Sequence, residues 1–216
     1  PSFSGSFVFS ELLKLGDKLP YGKVRMSWAQ VGSDTDPYQL GLVYTKSKFA
    51  YPGYTIGYIS NGTIPNKDLK PTKTNSFEMG LELKFLKNRI GLDFTYYSQL
   101  SKNQIMGMAS SSTSGYGYRL INAGEIENKG VEIALNTRPI QTKDFSWDLN
   151  FNFSKNSNKV KKLVDDMDMF ELEKATWLDV QVAAKVGENF GSIVGPDFQR
   201  NENGDILIDP STGLPM

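Results

Sequence analysis

The sequence predicts an all-β fold, with antiparallel strands forming part of a large transmembrane β-barrel with long extracellular loops. Three observations carry this expectation. Long period-two alternations present aromatic dry faces, the connections alternate between short and long, and aromatic residues gather towards strand ends, where interfacial girdles form. Alternation alone fits a soluble sandwich or small barrel equally well, with the apolar face turned to a core. The loop asymmetry and the length of the aromatic faces favour the membrane barrel.

Along the chain, Phe3, Phe7 and Phe9 mark one face of a first strand, and Val24, Met26 and Trp28 one face of a second. Gly16, Asp17 and Pro20 supply the turn between them. The clearest strand covers residues 75–86, where Phe77, Met79, Leu81, Leu83 and Phe85 alternate with Glu78, Gly80, Glu82 and Lys84. A tight turn at Lys87 and Asn88 leads into Ile90, Leu92, Phe94 and Tyr96, interleaved with Arg89, Gly91, Asp93 and Thr95. A further hairpin sets Val131, Ile133 and Leu135 beside Phe145, Trp147, Leu149, Phe151 and Phe153, with a turn containing Arg138 and Pro139 and ending near Asp144. Trp28, Tyr96, Tyr97, Trp147 and Phe153 are the girdle candidates.

The connections over residues 11–22, 87–88 and 138–144 are short, whereas 32–75, 100–128 and the stretch after Asn156 are long. Antiparallel order collects all the short ones at one end, which matches short periplasmic turns and long extracellular loops. In that reading Glu78, Glu82, Lys84, Arg89, Asp93, Glu132 and Asp148 face a wet lumen, because Lys or Arg turned to lipid near the midplane costs about 2–4 kcal/mol. Tyr116, Tyr118, Arg119 and Trp177 are the loop candidates for substrate contact, set against simple packing among the loops.

Composition narrows the chemistry. Lys plus Arg equals Asp plus Glu at 24 each, so no charge excess recruits nucleic acid. His and Cys are both absent, which removes the usual zinc, copper and iron–sulfur ligands and the commonest general base. No catalytic residue, cofactor or metal site is therefore expected. Asn201, Asn203 and Gly204 lie in a stretch with calcium-loop flavour, but Gln199 and Pro210 occupy positions where acidic ligands belong, which points to a turn. Glu125 and Glu127 could share a side as paired carboxylates, yet nothing nearby separates their acidities as glycoside hydrolysis requires. Asp165, Asp166 and Asp168 read as a solvated acidic loop.

The stretch Ile121–Glu132 contains Asn122, Gly124, Asn128, Gly130 and Glu132 in the spacing N-x-G-x-x-x-N-x-G-x-E. This resembles the signature of SusC/RagA-type TonB-dependent outer-membrane transporters. Asp144 to Trp147 and Asn156 to Val160 resemble the segments that follow it in that family. Upstream, Lys23 to Gly32 and the hairpin holding Asn88, Arg89 and Asp93 to Tyr97 are similar to earlier family strands. Downstream, Val186 to Gly195 and Asn203 to Asp205 are similar as well, so the resemblance covers almost the whole chain. The glycines and asparagines of the signature have a backbone role in the first instance: Gly for loop-to-strand geometry, Asn for local hydrogen bonds.

The resemblance implies that residues 1–216 are a fragment of one barrel domain, from its C-terminal part, with plug and termini not included. It implies active nutrient import across the Gram-negative outer membrane. The implied partners are a SusD-like surface lipoprotein, TonB through a region outside this chain, outer-membrane lipid, and an oligosaccharide or peptide substrate. A soluble or surface-exposed carbohydrate-binding β-domain and a passive porin are the competing readings.

Overall fold

The computed structural model describes residues 1–16, 19–37, 40–42, 44–48, 52–59, 62–164, 167–175 and 179–216. In chain order it contains β1 (Ser2–Val8), the short helix α1 (Phe9–Leu13), β2 (Tyr21–Ser33), β3 (Tyr44–Lys46), β4 (Gly57–Ile59), β5 (Thr63–Ile64), β6 (Thr72–Phe85) and β7 (Ile90–Lys102). There follow β8 (Ile105–Ala109), β9 (Tyr118–Asn122), β10 (Glu125–Gln141), β11 (Ser146–Lys162), β12 (Met169–Lys174), β13 (Gln181–Lys185) and β14 (Ser192–Val194).

Six long strands make one antiparallel sheet in the order β1-β2-β6-β7-β10-β11. Its connections behave as the alternation of loop lengths requires. At one end lie α1, the four residues between Phe85 and Ile90, and the turn after Gln141. At the other end lie β3 to β5, β8 and β9, and everything after β11. These longer excursions form their own small sheets: β3-β4, β5-β9-β8 and β12-β13-β14.

Three local departures from the sequence expectation have clear causes. Phe9 does not extend the first strand but begins α1, because the ladder with β2 ends at Val8 and Lys23. Its ring then folds over Gly22, which leaves room for it by lacking a side chain. Arg138 and Pro139 do not form the turn of the last hairpin. They sit at a register shift between Thr137 and Ile140, a bulge that absorbs a residue with no N–H, and the strand continues to Gln141. The long strands also outrun their apolar stretches: β7 reaches Lys102, β10 begins at Glu125, and β11 continues to Lys162.

The registers sort every strand residue onto one of two faces. Rows such as Phe3, Trp28 and Phe77, or Val24, Leu81, Phe94, Ile133 and Phe153, run across the sheet on one face. Phe3, Phe77, Phe151 and Phe153 are exposed at 73%, 37%, 58% and 56%, so this apolar face is bare within the chain. The buried core lies elsewhere, in the long-loop end. There Val160, Leu163, Phe170 and Ala184 pack together with Met106, Met108, Met167, Leu172 and Phe190 around them.

Candidate functional site

The opposite face of the sheet gathers the charges. Arg25 of β2 donates through both terminal nitrogens to Asp93 of β7, Nη1 to Oδ2 at 3.0 Å and Nη2 to Oδ1 at 2.8 Å, and Nη2 also reaches Thr95 Oγ1 at 2.6 Å. To do so its side chain crosses the intervening strand β6 at Gly80, the residue paired with both Arg25 and Thr95. A β-carbon at Gly80 would overlap the guanidinium stem, so the glycine is a passage for Arg25. Glu78 approaches the same guanidinium at 4.0 Å.

The remaining charges extend this lattice along the face. Glu82 lies 3.8 Å from Lys23 and 3.9 Å from Lys84, and the Lys84 ammonium stands 4.9 Å over the Tyr21 ring. Near the short-turn end Arg138 pairs with Asp148 at 2.6 Å, while the Arg89 carbonyl accepts the Arg138 backbone N–H at 2.8 Å. Glu132 borders an open recess of about 460 Å³ with Arg25, Asp93, Thr95, Asn152 and Ser154. All these pairs are partly solvent-exposed, so each contributes modestly, and the lattice acts by positioning charge on one wall.

Every candidate from Glu78 to Asp148 thus has a place on or beside the polar face. Sequence reasoning missed Lys23, Arg25, Arg138 and Tyr97 as members of it. Alternation around Val24 and Met26 was signal enough for Lys23 and Arg25. Tyr97 is a correction: it is not a girdle residue, because adjacent residues on a strand face opposite ways and Tyr96 takes the apolar side. Tyr97 instead pairs across from Glu78 and Gly130, and its hydroxyl donates to Asn156 Oδ1 at 3.2 Å.

The signature residues have structural partners. Asn122 Nδ2 donates to the carbonyls of Lys70 at 2.6 Å and Asn103 at 3.0 Å, and its Oδ1 accepts the Lys70 N–H at 2.7 Å. One amide thereby ties the segment before β6 to the turn after β7. Gly124 has φ +84°, and a β-carbon there would meet the Lys162 carbonyl at 2.5 Å. Gly130 leaves space for the Tyr97 ring, whose hydroxyl oxygen would stand 2.6 Å from an added β-carbon. Glu125 and Glu127 do share a face, but each is engaged by lysine: Glu125 with Lys102 at 3.3 Å, Glu127 with Lys161 at 3.1 Å and Lys129 at 3.5 Å.

Of the loop candidates, Tyr118 and Arg119 are exposed on β9, paired with β8 and with β5, and Tyr116 is half-buried just before them. Trp177, Asp165 and Asp166 lie outside the described residues, as does Asp17 of the first turn. Asn201 forms a turn, its Oδ1 accepting the N–H groups of Asn203 and Asp205, both at 2.9 Å.

An antiparallel meander with one apolar face, one charged face, short turns at one end and long excursions at the other is the wall of a large β-barrel. A family model described as "TonB dependent receptor-like, beta-barrel" matches residues 2–193, and the chain belongs to that family, in its SusC/RagA branch. It is 31% identical over 196 residues to TonB-dependent receptor P3 of Formosa agariphila, covering 87% of this chain and 19% of the relative. It is 31% identical over 156 residues to TonB-dependent receptor SusC of Bacteroides thetaiotaomicron, covering 68% of this chain and 16% of SusC. The RagAB peptide importer in its closed-closed state shares the fold, with TM-score 0.77 and 18% identity, over 100% of this chain and 24% of that one. The chain therefore spans about a fifth of the length of the curated relatives it matches.

Proposed function

We propose that residues 1–216 belong to a single barrel domain in the outer membrane, with the apolar face against lipid and the charged face towards the lumen. The full protein then imports nutrients, oligosaccharides or peptides, energised by TonB through a region outside this chain and working with a SusD-like lipoprotein. The importer's short turns lie in the periplasm and its long loops at the cell surface.

The observation that carries this reading is a slanted edge. On the apolar face the unbroken apolar run ends towards the long-loop end at Trp28 on β2, Phe77 on β6, Tyr96 on β7, Val131 on β10 and Phe153 on β11, with Ser98 separating Tyr96 from Leu100 farther out. By register, Trp28 and Phe77 share a row, Tyr96 and Val131 lie one row lower, and Phe153 one lower again. The edge thus drops four residues, about 13 Å at about 3.3 Å per residue, over four strand spacings totalling about 19 Å, a slope of about 35°. Strands of membrane barrels tilt by about 35–45°, so a level lipid boundary would cut the rows at this angle. The other edge shifts the same way, from Val24 through Phe85 and Ile90 to Ile140 and Trp147. No charged residue lies on this face between the two edges. A core facing a second protein layer has no need of two parallel, oblique borders.

Cysteines placed in the full-length protein test the orientation with an impermeant thiol reagent on intact cells. Ser111→Cys is expected to be labelled and Asn88→Cys protected; the reverse pattern inverts the topology. Uptake separates an importer from a pore. Deleting the TonB-contacting segment should abolish concentrative uptake of labelled substrate while surface binding persists, and undiminished concentration of substrate would overturn the active reading.

A further inference from the structure

On the apolar face, the first residues beyond the slanted edge are not neutral. On β10 and β11 they are Lys129 and Lys155, followed farther out along the same side by Lys159 and Lys161 and by two acids, Glu127 and Glu125. Lys155 follows Phe153 on the same side of β11, and Lys129 follows Val131 on the same side of β10. Register pairs Lys155 with Val131 and Ser157 with Lys129, so the two lysines are diagonal neighbours, about 7–8 Å apart at their Cα atoms.

This strip is unlike the rest of the chain. The sequence as a whole is neutral, with 24 basic and 24 acidic residues, and the opposite face interleaves both signs. On these two strands four lysines meet two carboxylates, and one of those, Glu125, is held by Lys102 of β7. Glu127 engages Lys161 and Lys129. Among the described residues Lys155 and Lys159 have no ion-pair partner, and both are exposed. Long ammonium side chains at such a border run their stems over apolar surface and lift their heads out of it, which concentrates positive charge in one layer.

We infer that Lys129 and Lys155 at the border, backed by Lys159 and Lys161 farther out, bind the phosphate groups of anionic lipid headgroups at the cell-surface edge of the lipid-facing wall. The site rests on the proposed orientation of the apolar face. A lipid fits it better than a free anion, because the same β11 that carries the lysines offers Leu149, Phe151 and Phe153 directly below them to acyl chains. Phosphate at the border meets the ammonium groups outside bulk water, where the attraction is less screened. Four positive charges against two negative, one of which Lys102 already holds, leave an excess that a single phosphodiester only partly neutralises, so more than one headgroup docks along the strip.

The test uses the full-length protein in detergent, supplied with phosphatidylglycerol or phosphatidylcholine, with bound lipid read by native mass spectrometry. Wild-type protein should retain phosphatidylglycerol at least tenfold better than the K129Q/K155Q/K159Q variant, while phosphatidylcholine is held equally by both. Resistance of the wild-type barrel and of the variant to dissociation on unheated gels checks that both are folded. Equal retention of phosphatidylglycerol by folded variant and wild type overturns the site. Complete displacement by excess inorganic phosphate also overturns it, since a bare anion would then suffice. A photoreactive probe dissolved in the lipid phase separates the two levels: labelling at Phe153 with no lysine effect sinks the headgroup site alone, whereas no labelling at Phe153 sinks the orientation beneath it.

Discussion

The six-stranded sheet and the layer at its long-loop end handle apolar surface in opposite ways. The layer behaves like a small soluble protein, with Val160, Phe170 and Ala184 exposed at 0%, 6% and 0%. The sheet leaves Phe151 and Phe153 more than half exposed and closes nothing over them. Yet the two regions share a strand, since β11 carries Phe151 and Phe153 at one height and Val160 nearer its other end. One backbone ladder can thus serve two solvents, because hydrogen bonding within the strand pairs is indifferent to what the side chains meet.

Substitutions should separate the regions. The largest effect is expected from Phe170→Ala, which empties the centre of the layer's core and should cost about 3–5 kcal/mol locally. Hydrogen exchange on the full-length protein would show protection lost over β12 and β13 and kept over β6 and β7; loss throughout would mean that the regions fold as one unit. Leu81→Arg, in the middle of the apolar band, should cost about 2–4 kcal/mol in urea titrations of vesicle-inserted protein. Glu82→Gln, one residue away on the other face, should cost less than about 1 kcal/mol. Similar costs for the two would remove the distinction between the faces.

An effect smaller than that of Leu81→Arg, about 1–2 kcal/mol and confined to the loop end, is expected from Asn122→Ala. The Lys70 amide should then exchange faster while β6 amides downstream remain protected. Also small is the effect of Gly80→Ala, which displaces the Arg25 side chain from Asp93 and Thr95 across β6. These groups are part-exposed, so the loss should be about 1 kcal/mol, and Arg25→Ala in the same background should add little. Full additivity of the two would show that Gly80 does not act through Arg25.

Much of this contrast was legible from residue order. Alternation from Phe77 to Phe85 and from Ile90 to Tyr96 marked the faces without ambiguity, since a strand has only two sides. Tyr97 was misread as a girdle aromatic because composition near a strand end was weighed above parity. The bulge at Arg138 and Pro139 was misread because proline at a strand interior and proline in a turn look alike until a partner strand is known. The layer core escaped notice because Met106, Val160, Phe170 and Ala184 belong to four separate elements and form no periodic pattern.

The sequence by itself determined which side chains face together, where the short turns fall, and the family signature from Asn122 to Glu132, because these depend on local period and spacing. Only the tertiary structure decided that Arg25 reaches Asp93 over Gly80, that Asn122 clasps Lys70, and that the apolar edge steps down from Trp28 to Phe153. Each of those depends on register, the sliding of one strand against the next. Register is set jointly by both strands and their turn, and no single strand's sequence contains it.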